Sequence, residues 1–450
     1  MKLFQKTYGI LFSHGFAVAS VQQDSLRTIL ERISPPTFND ATYSVIDYGA
    51  VADGATNSLV AFRSAIQACN LAKGGTVLVP PGVYYHAGPL DLLSDVHLKL
   101  ADGATIRFSP DPADYLPPTL TKFEGTELYN YSPLVRSYMS TNVAITGEGS
   151  GSVIDGNGAA VFATWKDLQA DDQEALRAMG NDSVPVYERV FGGGHFLRPN
   201  MIEFLGCANV LVEGVKIVDS PFWVIHPVDS TNVIVRRVVV DSMNTNNDGC
   251  DPEGSVDVLI EGCDFNTGDD GIAIKSGRDA DGWRVAQPTK NVVIRGNRLR
   301  SATNGICVGS EMSGGVSNVI ALDNVMPATG AAIYFKSNLD RGSYIEDVVV
   351  SNLTAGVVDT FLSITNDYHS YRGGDFPTLF RNFTIKDSVC DQAGIGISAI
   401  GLYEMPIQDV ILKNVDISNA RTPYEIEGAV GFQMLNVTIN GVMQECCSDE

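Results

Sequence analysis

Beyond residue 20 the sequence has no segment approaching about 18 uninterrupted apolar residues, the run a membrane-spanning helix needs, so membrane insertion is not expected. Its eight cysteines are scattered without a C-x-x-C pair, and no histidine pair accompanies them, which removes the spacing of a zinc site. They are too few for a disulfide-built scaffold, and sequence alone chooses neither free thiols nor a set of bridges. Positive charge is also scarce: 31 Lys and Arg face 53 Asp and Glu, a net charge of −22. Such a field repels nucleic acid and anionic membranes, so neither is expected as a partner. It also repels an acidic polysaccharide at long range, unless the binding cleft carries local Lys and Arg. Charged residues are only 19% of the chain while glycine reaches 44 residues, a balance suited to a turn-rich β protein rather than a helical bundle.

At the N-terminus, Lys2 and Lys6 precede a mainly apolar stretch that ends in Ala17-Val18-Ala19, small residues at the spacing of a signal-peptidase site. Residues 1–20 are therefore expected to be a signal peptide and the protein to be secreted or periplasmic. Residues 21–450 contain no linker and are expected to form a single catalytic domain, with the oligomeric state open.

From about residue 205 the chain repeats. Short runs of alternating Val and Ile open on Asn209, Asn232, Asp257, Asn291, Asn318, Asp347, Asn382 and Asp409. These starts differ by 23, 25, 34, 27, 29, 35 and 27 residues, the period of a solenoid. Each unit holds strands too short to stand alone, and stacking the units buries a continuous aliphatic interior. The fixed L-x-x-L-x-L leucines of leucine-rich repeats are missing, and no helical periodicity runs between the strands. The expected fold is all-β: a single-stranded right-handed parallel β-helix with long loop insertions. The earlier sequence fits its entry, with a helix over Leu59–Leu71, strand–turn–strand at 74–84, and further coils at 95–108 and 142–156. Residues 108–140 and 160–200 are less repetitive and contain Trp165, Lys166 and the Gly192–Pro199 segment. Long insertions on a rigid scaffold are where binding groups tend to sit.

Two acidic clusters lie in neighbouring repeats, Asn246–Asp251 and Gly268–Gly271. Asp248 comes 16 residues after its repeat opens at Asn232, and Asp269 and Asp270 come 12 and 13 after Asp257, so the three share one side of the solenoid, a rung apart. Carboxylates this close raise at least one another's pKa. A neutral carboxylic acid beside an ionised carboxylate is what glycosidic cleavage requires. An Asp-rich turn that binds calcium is the plainer alternative, but the paired clusters and the basic group after them favour catalysis. No metal and no cofactor is expected.

In these stretches the chain resembles glycoside hydrolase family 28, the polygalacturonase family. The motifs that carry the resemblance are Asn246–Asp251, Gly268–Arg278, Gly309–Gly315 and Lys336–Gly342. Gly194–Pro199, Ser220–Pro227 and Thr37–Ala50 are similar to the family's bacterial exo-acting branch, and the likeness spans roughly residues 37–440. The resemblance implies that Asp269 is the general acid and that Asp248 and Asp270 hold and deprotonate the attacking water, a single displacement with inversion. It implies further that Lys336 pairs with a substrate carboxylate. Two family residues are absent. The histidine of the family's Gly-His-Gly turn falls at Thr303 or Asn304, and the arginine of its Arg-x-Lys falls at Tyr334. Both losses bear on galacturonate recognition more than on hydrolysis.

Replacements are sought nearby. Lys275, Arg278 and Arg341 flank the matched motifs, and His195, Arg198 and His226 lie in or near the insertions. Tyr368 and Tyr371 offer a stacking or hydrogen-bonding ring. With Tyr334 and Asn304, the expected substrate-binding set is Lys336, Lys275, Arg278, His195, Arg198, His226, Tyr334, Asn304 and Tyr368. The expected partner is a polysaccharide or oligosaccharide of the pectin type, trimmed from its ends. The alternatives are the same chemistry on rhamnogalacturonan or an algal glycan, a β-helix polysaccharide lyase, or a non-catalytic glycan-binding solenoid.

Overall fold

The computed structural model describes residues 25–444; the expected signal peptide, Cys446 and Cys447 lie outside the described residues. The repeats form a right-handed parallel β-helix. Its strands stack in columns, each strand pairing with its counterpart one coil earlier and one coil later. One column runs through Thr141–Gly147, Ala208–Glu213, Thr231–Arg236, Val256–Glu261 and Thr289–Arg295. A second runs through Val153–Asp155, Lys216–Val218, Val239–Ser242, Asp264–Thr267 and Arg298–Ser301. The third runs through Leu90–Leu92, Val135–Tyr138, Ile202–Leu205 and Ile225–Val228, then through single bridges at Cys250 to Ile272–Ile274 and Asn304–Val308. Alternating side chains point inward, and those of successive coils form one buried aliphatic core from Val45 to Ile439.

The Asn or Asp that opens each repeat has a backbone reason. Asn142, Asn209, Asn232, Asp257, Asn291 and Asn318 all adopt φ between 56° and 59°. That left-handed conformation disfavours other side chains with a Cβ. Each Asn amide then donates to the coil before it: Asn209 to Asn142 and Asn232 to Asn209 at 2.9 Å, Asn291 to Asp257 at 2.8 Å, and Asn318 to Asn291 at 2.7 Å. A carboxylate cannot donate, so the ladder breaks between Asn232 and Asp257. The segment after residue 25 crosses this break. Arg32 Nη2 bonds Asp257 at 2.8 Å, and Ser34 exchanges bonds with the Asn232 amide at 3.0 and 2.8 Å. Ile29 on the same segment covers the outward-facing Leu211, Ile234, Leu259 and Val293, which explains why that column is apolar on both faces.

The expected helix at Leu59–Leu71 caps the first coils, burying Phe62, Ala65 and Ile66. The insertions are ordered. An antiparallel hairpin, Thr119–Phe123 with Thr126–Asn130, and the helix Ala170–Asn181 pack together through Phe123, Leu128, Leu176, Phe191, Leu197, Phe222 and Trp223. This apolar block stands beside the third column and walls one side of a cleft. The six described cysteines are all free and buried. Among the described residues, no helix is long and apolar enough to cross a membrane.

Candidate active site

The third column sets the site's register. Ile225, Cys250, Ile272 and Ile306 pair in series, pointing into the core. Two residues before the last three come Asp248, Asp270 and Asn304, so these stack on successive coils. Carboxylate oxygens of Asp248, Asp269 and Asp270 lie within 4.8 Å of one another. They face a cleft of about 670 Å³, open to solvent, whose other walls include Glu124, Lys166, Gln173, Arg177, Trp223, Asn246, Lys275, Arg278, Glu311, Lys336 and Tyr368.

The three carboxyls differ in their surroundings. Asp270 Oδ1 accepts from Thr303 Oγ1 at 2.8 Å and Asn304 Nδ2 at 2.6 Å; Oδ2 accepts from Lys336 Nζ at 2.7 Å and Cys307 Sγ at 2.9 Å. Burial works against its charge, but Lys336 and Lys275, with the thiol bond, outweigh it and hold Asp270 well below the usual carboxylate range. Asp269 accepts from Asn246 Nδ2 at 3.1 Å and Thr303 Oγ1 at 2.9 Å. Its burial and the neighbouring Asp270 charge raise its pKa. Asp248 is pushed up further, first by burial and then by Asp251 and Asp269, with Lys275 opposing from 3.8 Å. The site therefore holds a permanent anion beside carboxyls that carry protons more readily. Close packing of three carboxylates is also a cation-site geometry, but the Lys336 ammonium already stands 2.7 Å from Asp270 and Lys275 stands 3.8 Å from Asp248, so two lysines supply the countercharge and the set does not fit a metal.

Behind the triplet runs a buried chain of charges that sequence reasoning missed. Lys275 Nζ donates to Glu311 at 3.0 Å and to the Gly309 carbonyl at 3.0 Å. Arg278 donates to Glu311 at 2.5 Å and to Glu124 at 3.3 Å, and Arg177 meets Glu124 at 2.9 Å. Glu124 comes from the hairpin turn and Arg177 from the insertion helix, positions that no repeat pattern marks. Above them, Arg372 reaches Glu174 of the same helix at 2.5 Å, joining the 366–378 loop to the insertion across the cleft.

Of the expected substrate-binding set, Lys336, Lys275, Arg278 and Tyr368 line the cleft. Asn304 instead fills the space beside Asp270, and Tyr334 places its ring centroid 5.6 Å from the Lys336 ammonium. Three expectations need correction. Arg198 is buried, with its guanidinium spent on Gln169, the Thr245 carbonyl and Asn246, so it orients Asn246 rather than touching the cleft. His195 is turned to Asp172 at 2.7 Å, outside the cleft lining. His226 is no subsite wall; Trp223 takes that place, and His226 is fully buried against it, ring centroids 4.9 Å apart. Arg341 is likewise buried on Asp279 and the Ser310 carbonyl, and the Tyr371 hydroxyl bonds the Gly374 carbonyl.

His226 sits between Glu253 at 3.0 Å and Glu203 at 3.5 Å, and Glu253 also meets Lys122 at 3.2 Å. Burial alone would lower its pKa, but the two glutamates raise it to about 9. The unfolded value is near ~6.5, so this stabilisation is fully present below about pH 6.5 and lost as pH rises through the folded value. His226→Gln is expected to cost on the order of 3 kcal/mol at pH 6, with the gap from the parent closing by pH 10. Unfolding midpoints across that range check it; a gap that stays constant would mean His226 is neutral in the fold.

Comparison with known proteins adds the relatives. The family described as Glycosyl hydrolases family 28 matches residues 193–428, and one described as Rhamnogalacturonase A/epimerase, pectate lyase-like matches residues 42–106. The crystal structure of a hyperthermoactive exopolygalacturonase from Thermotoga maritima superimposes with a TM-score of 0.86 at 38% identity, covering 94% of this chain and 97% of that one. An exo-poly-alpha-D-galacturonosidase from Dickeya chrysanthemi is 26% identical over 89% of this chain and 71% of its own. An endo-polygalacturonase from Pectobacterium carotovorum is 24% identical over 84% of this chain and 86% of its own.

Proposed function

The chain belongs to glycosyl hydrolase family 28, and from that premise we propose that it hydrolyses polygalacturonate-type pectin, releasing sugar from the chain end. It is a glycoside hydrolase. In this reading Asp269 protonates the leaving glycosidic oxygen, and Asp248 and Asp270 hold and deprotonate the attacking water. The observation that carries it is the carboxylate triplet in a cleft lined by Lys166, Arg177, Lys275, Arg278 and Lys336. In a protein of net charge −22, those cations supply the local attraction an acidic glycan needs. Lys336 and Arg278 are the groups we assign to the uronate carboxylate, in place of the arginine that Tyr334 replaces. Action at chain ends is supported by the wall of Gln173, Arg177 and the Arg372–Glu174 bridge, and by the exo-acting relatives. Release outside the cell membrane fits a polymer that cannot enter it.

The carboxylate spacing makes stereochemistry the sharpest test. General rules assign gaps of about 5–5.5 Å to retention and about 6.5–9.5 Å to inversion. Here one oxygen from each of Asp248, Asp269 and Asp270 lies within 4.8 Å of the others, close enough for a water to bridge two of them. Inversion is assigned from the single displacement that the family resemblance implies rather than from the spacing. Proton NMR of the first product from polygalacturonate should show the inverted anomer and a monomer or short oligomer from the earliest time point. A retained anomer would overturn the mechanism. Turnover of rhamnogalacturonan or an algal glycan, with none of polygalacturonate, would move the substrate assignment.

A further inference from the structure

The strand Asn304–Val308 pairs with Ile272–Ile274 of the coil before it, and that register sets Thr303 against Asp269 and Asn304 against Asp270. Thr303 is half-buried just ahead of the strand, with its backbone tied on both sides. Its N–H donates to Ser301 Oγ at 3.0 Å, and its carbonyl accepts from the Gly330 N–H. Its side-chain oxygen lies 2.9 Å from Asp269 Oδ1 and 2.8 Å from Asp270 Oδ1, so it touches both carboxyls at once. A threonine hydroxyl carries one hydrogen and can donate to only one of them at a time.

The surroundings of each carboxyl decide which one it serves. Asp270 has three other donors, Asn304, Lys336 and Cys307, and is ionised in the resting enzyme. Asp269 has two others, Asn246 Nδ2 at 3.1 Å and the Asp270 N–H at 2.9 Å. Neither of those can turn away. Arg198 holds the Asn246 amide oxygen at 2.6 Å, which fixes Nδ2 toward Asp269, and the other donor is backbone. Of the three groups that meet Asp269, only the Thr303 hydroxyl can rotate. At the start of the reaction Asp269 carries its proton and Asp270 its charge, so the hydroxyl belongs to Asp270. As the proton leaves, a second charge appears on Asp269, 2.9 Å from the same oxygen.

We propose that the Thr303 hydroxyl is a switching donor, bonded to Asp270 in the resting enzyme and turned to Asp269 as that carboxyl gives up its proton. Thr303 is then a positioning residue that acts through the general acid. The proposal rests on the hydrolase reading and adds how the acid is eased through its change of charge. In that step the glycosidic bond breaks, its electron pair stays with the leaving oxygen, and that oxygen takes the Asp269 proton. The water oxygen bonds the anomeric carbon, and its proton goes to the Asp248 and Asp270 pair. The Thr303 proton stays on its own oxygen throughout. A bond made to the new carboxylate and absent from the neutral acid favours the transition state over the ground state. The charged groups that face Asp269 are Asp248, Asp270, Arg198, Lys275 and Lys336. Burial and the Asp270 charge raise the Asp269 carboxyl, and Thr303 acts against them, the direction of a donor to the ionised form. A hydroxyl in the stretch that lacks the family's histidine also brings no titration of its own near neutral pH.

Two variants of the full chain test this role against a packing role. Thr303→Val keeps the shape and removes the hydrogen, and should lower kcat on polygalacturonate by roughly 10- to 100-fold at little-changed KM. Thr303→Ser restores a hydroxyl and should recover most of that loss. On a substrate with an activated aryl leaving group the Thr303→Val deficit should shrink to roughly threefold or less, because the leaving oxygen no longer needs the proton. The basic limb of its pH profile should move to higher pH, because ionised Asp269 has lost a donor. Equal loss on both substrates, a Thr303→Ser enzyme as slow as Thr303→Val, or an unmoved basic limb would each overturn the proposal. A further readout needs no turnover. The Asp269 carboxyl, isolated in difference infrared spectra by subtracting Asp269→Asn, should titrate at higher pH in Thr303→Val than in the parent, and an equal midpoint would overturn the proposal. A chain that cleaves no glycan would sink the hydrolase reading, and this midpoint would still decide whether the hydroxyl serves Asp269.

Discussion

Asp269→Asn should lower kcat by roughly 10²- to 10⁴-fold, the range that a positioned general acid supplies. The amide retains the volume of the carboxyl and can still meet Asn246 and Thr303, the two side chains that hold Asp269. It has no proton to give to a departing sugar. KM should change little and the unfolding midpoint should hold. The residual activity should lose the basic limb of the parent's pH profile, because that limb reports ionisation of the raised Asp269 carboxyl. A substrate with an activated aryl leaving group needs no proton and should recover most of the lost rate. Equal loss on both substrates would remove the acid role from Asp269.

Lys336→Met is expected to damage both stability and catalysis. Lys336 is buried, and its ammonium is 2.7 Å from Asp270. Removing it strands a buried carboxylate, at a cost of about 3–5 kcal/mol at neutral pH. The direction with pH follows from the two partners. Asp270 has a depressed pKa in the fold, so its contribution is present above the unfolded value near ~3.9 and is lost as pH falls. Lys336 has a raised one, so its contribution is present below about 10.4 and is lost above it. The gap between parent and variant should therefore be widest between those limits and should narrow on acidification below about pH 4. Turnover per substrate bound should fall too, by roughly 100-fold in kcat/KM, if Lys336 also receives the uronate. Adding Asp270→Asn to Lys336→Met removes the stranded charge and should return much of the stability while leaving activity absent. A double variant no more stable than the single would mean that the pair is not the source of the cost.

How much of this was legible in the sequence follows from what each feature depends on. The coils could be read because their signal is backbone chemistry. An Asn or Asp that must adopt positive φ recurs at the head of each Val and Ile run, so Asn209, Asn232 and Asp257 gave the register that stacks Asp248 with Asp270. The helix at Leu59–Leu71 could be read for a different local reason, apolar residues at helical spacing such as Phe62, Ala65, Ile66 and Cys69 that bury one face. The walls could not be read, because they come from insertions whose contacts are made at long range. Nothing near Glu124 in the sequence says that its carboxylate will bridge Arg177 and Arg278. His226 and Arg198 were misplaced for a related reason. Both touch residues that do reach the cleft, Trp223 and Asn246, but each is enclosed by partners distant in sequence, Glu203 and Glu253 for His226, Gln169 and the Thr245 carbonyl for Arg198. Asn304 was read as a gap left by a missing histidine, whereas with Thr303 and Cys307 it completes the donor set around Asp270.

Among the described residues six thiols lie sealed, at Cys69, Cys207, Cys250, Cys263, Cys307 and Cys390. In a stack where each coil touches only its neighbours, loosening begins at an end and travels inward. The cysteines then act as mileposts. Whichever one first accepts a thiol-reactive label tells how far the unwinding has come and from which terminus. Cys250, Cys263 and Cys307 occupy the coils that bear the aspartates, so their labelling should keep time with the loss of activity. Cys69 and Cys390 should mark the fraying that precedes it.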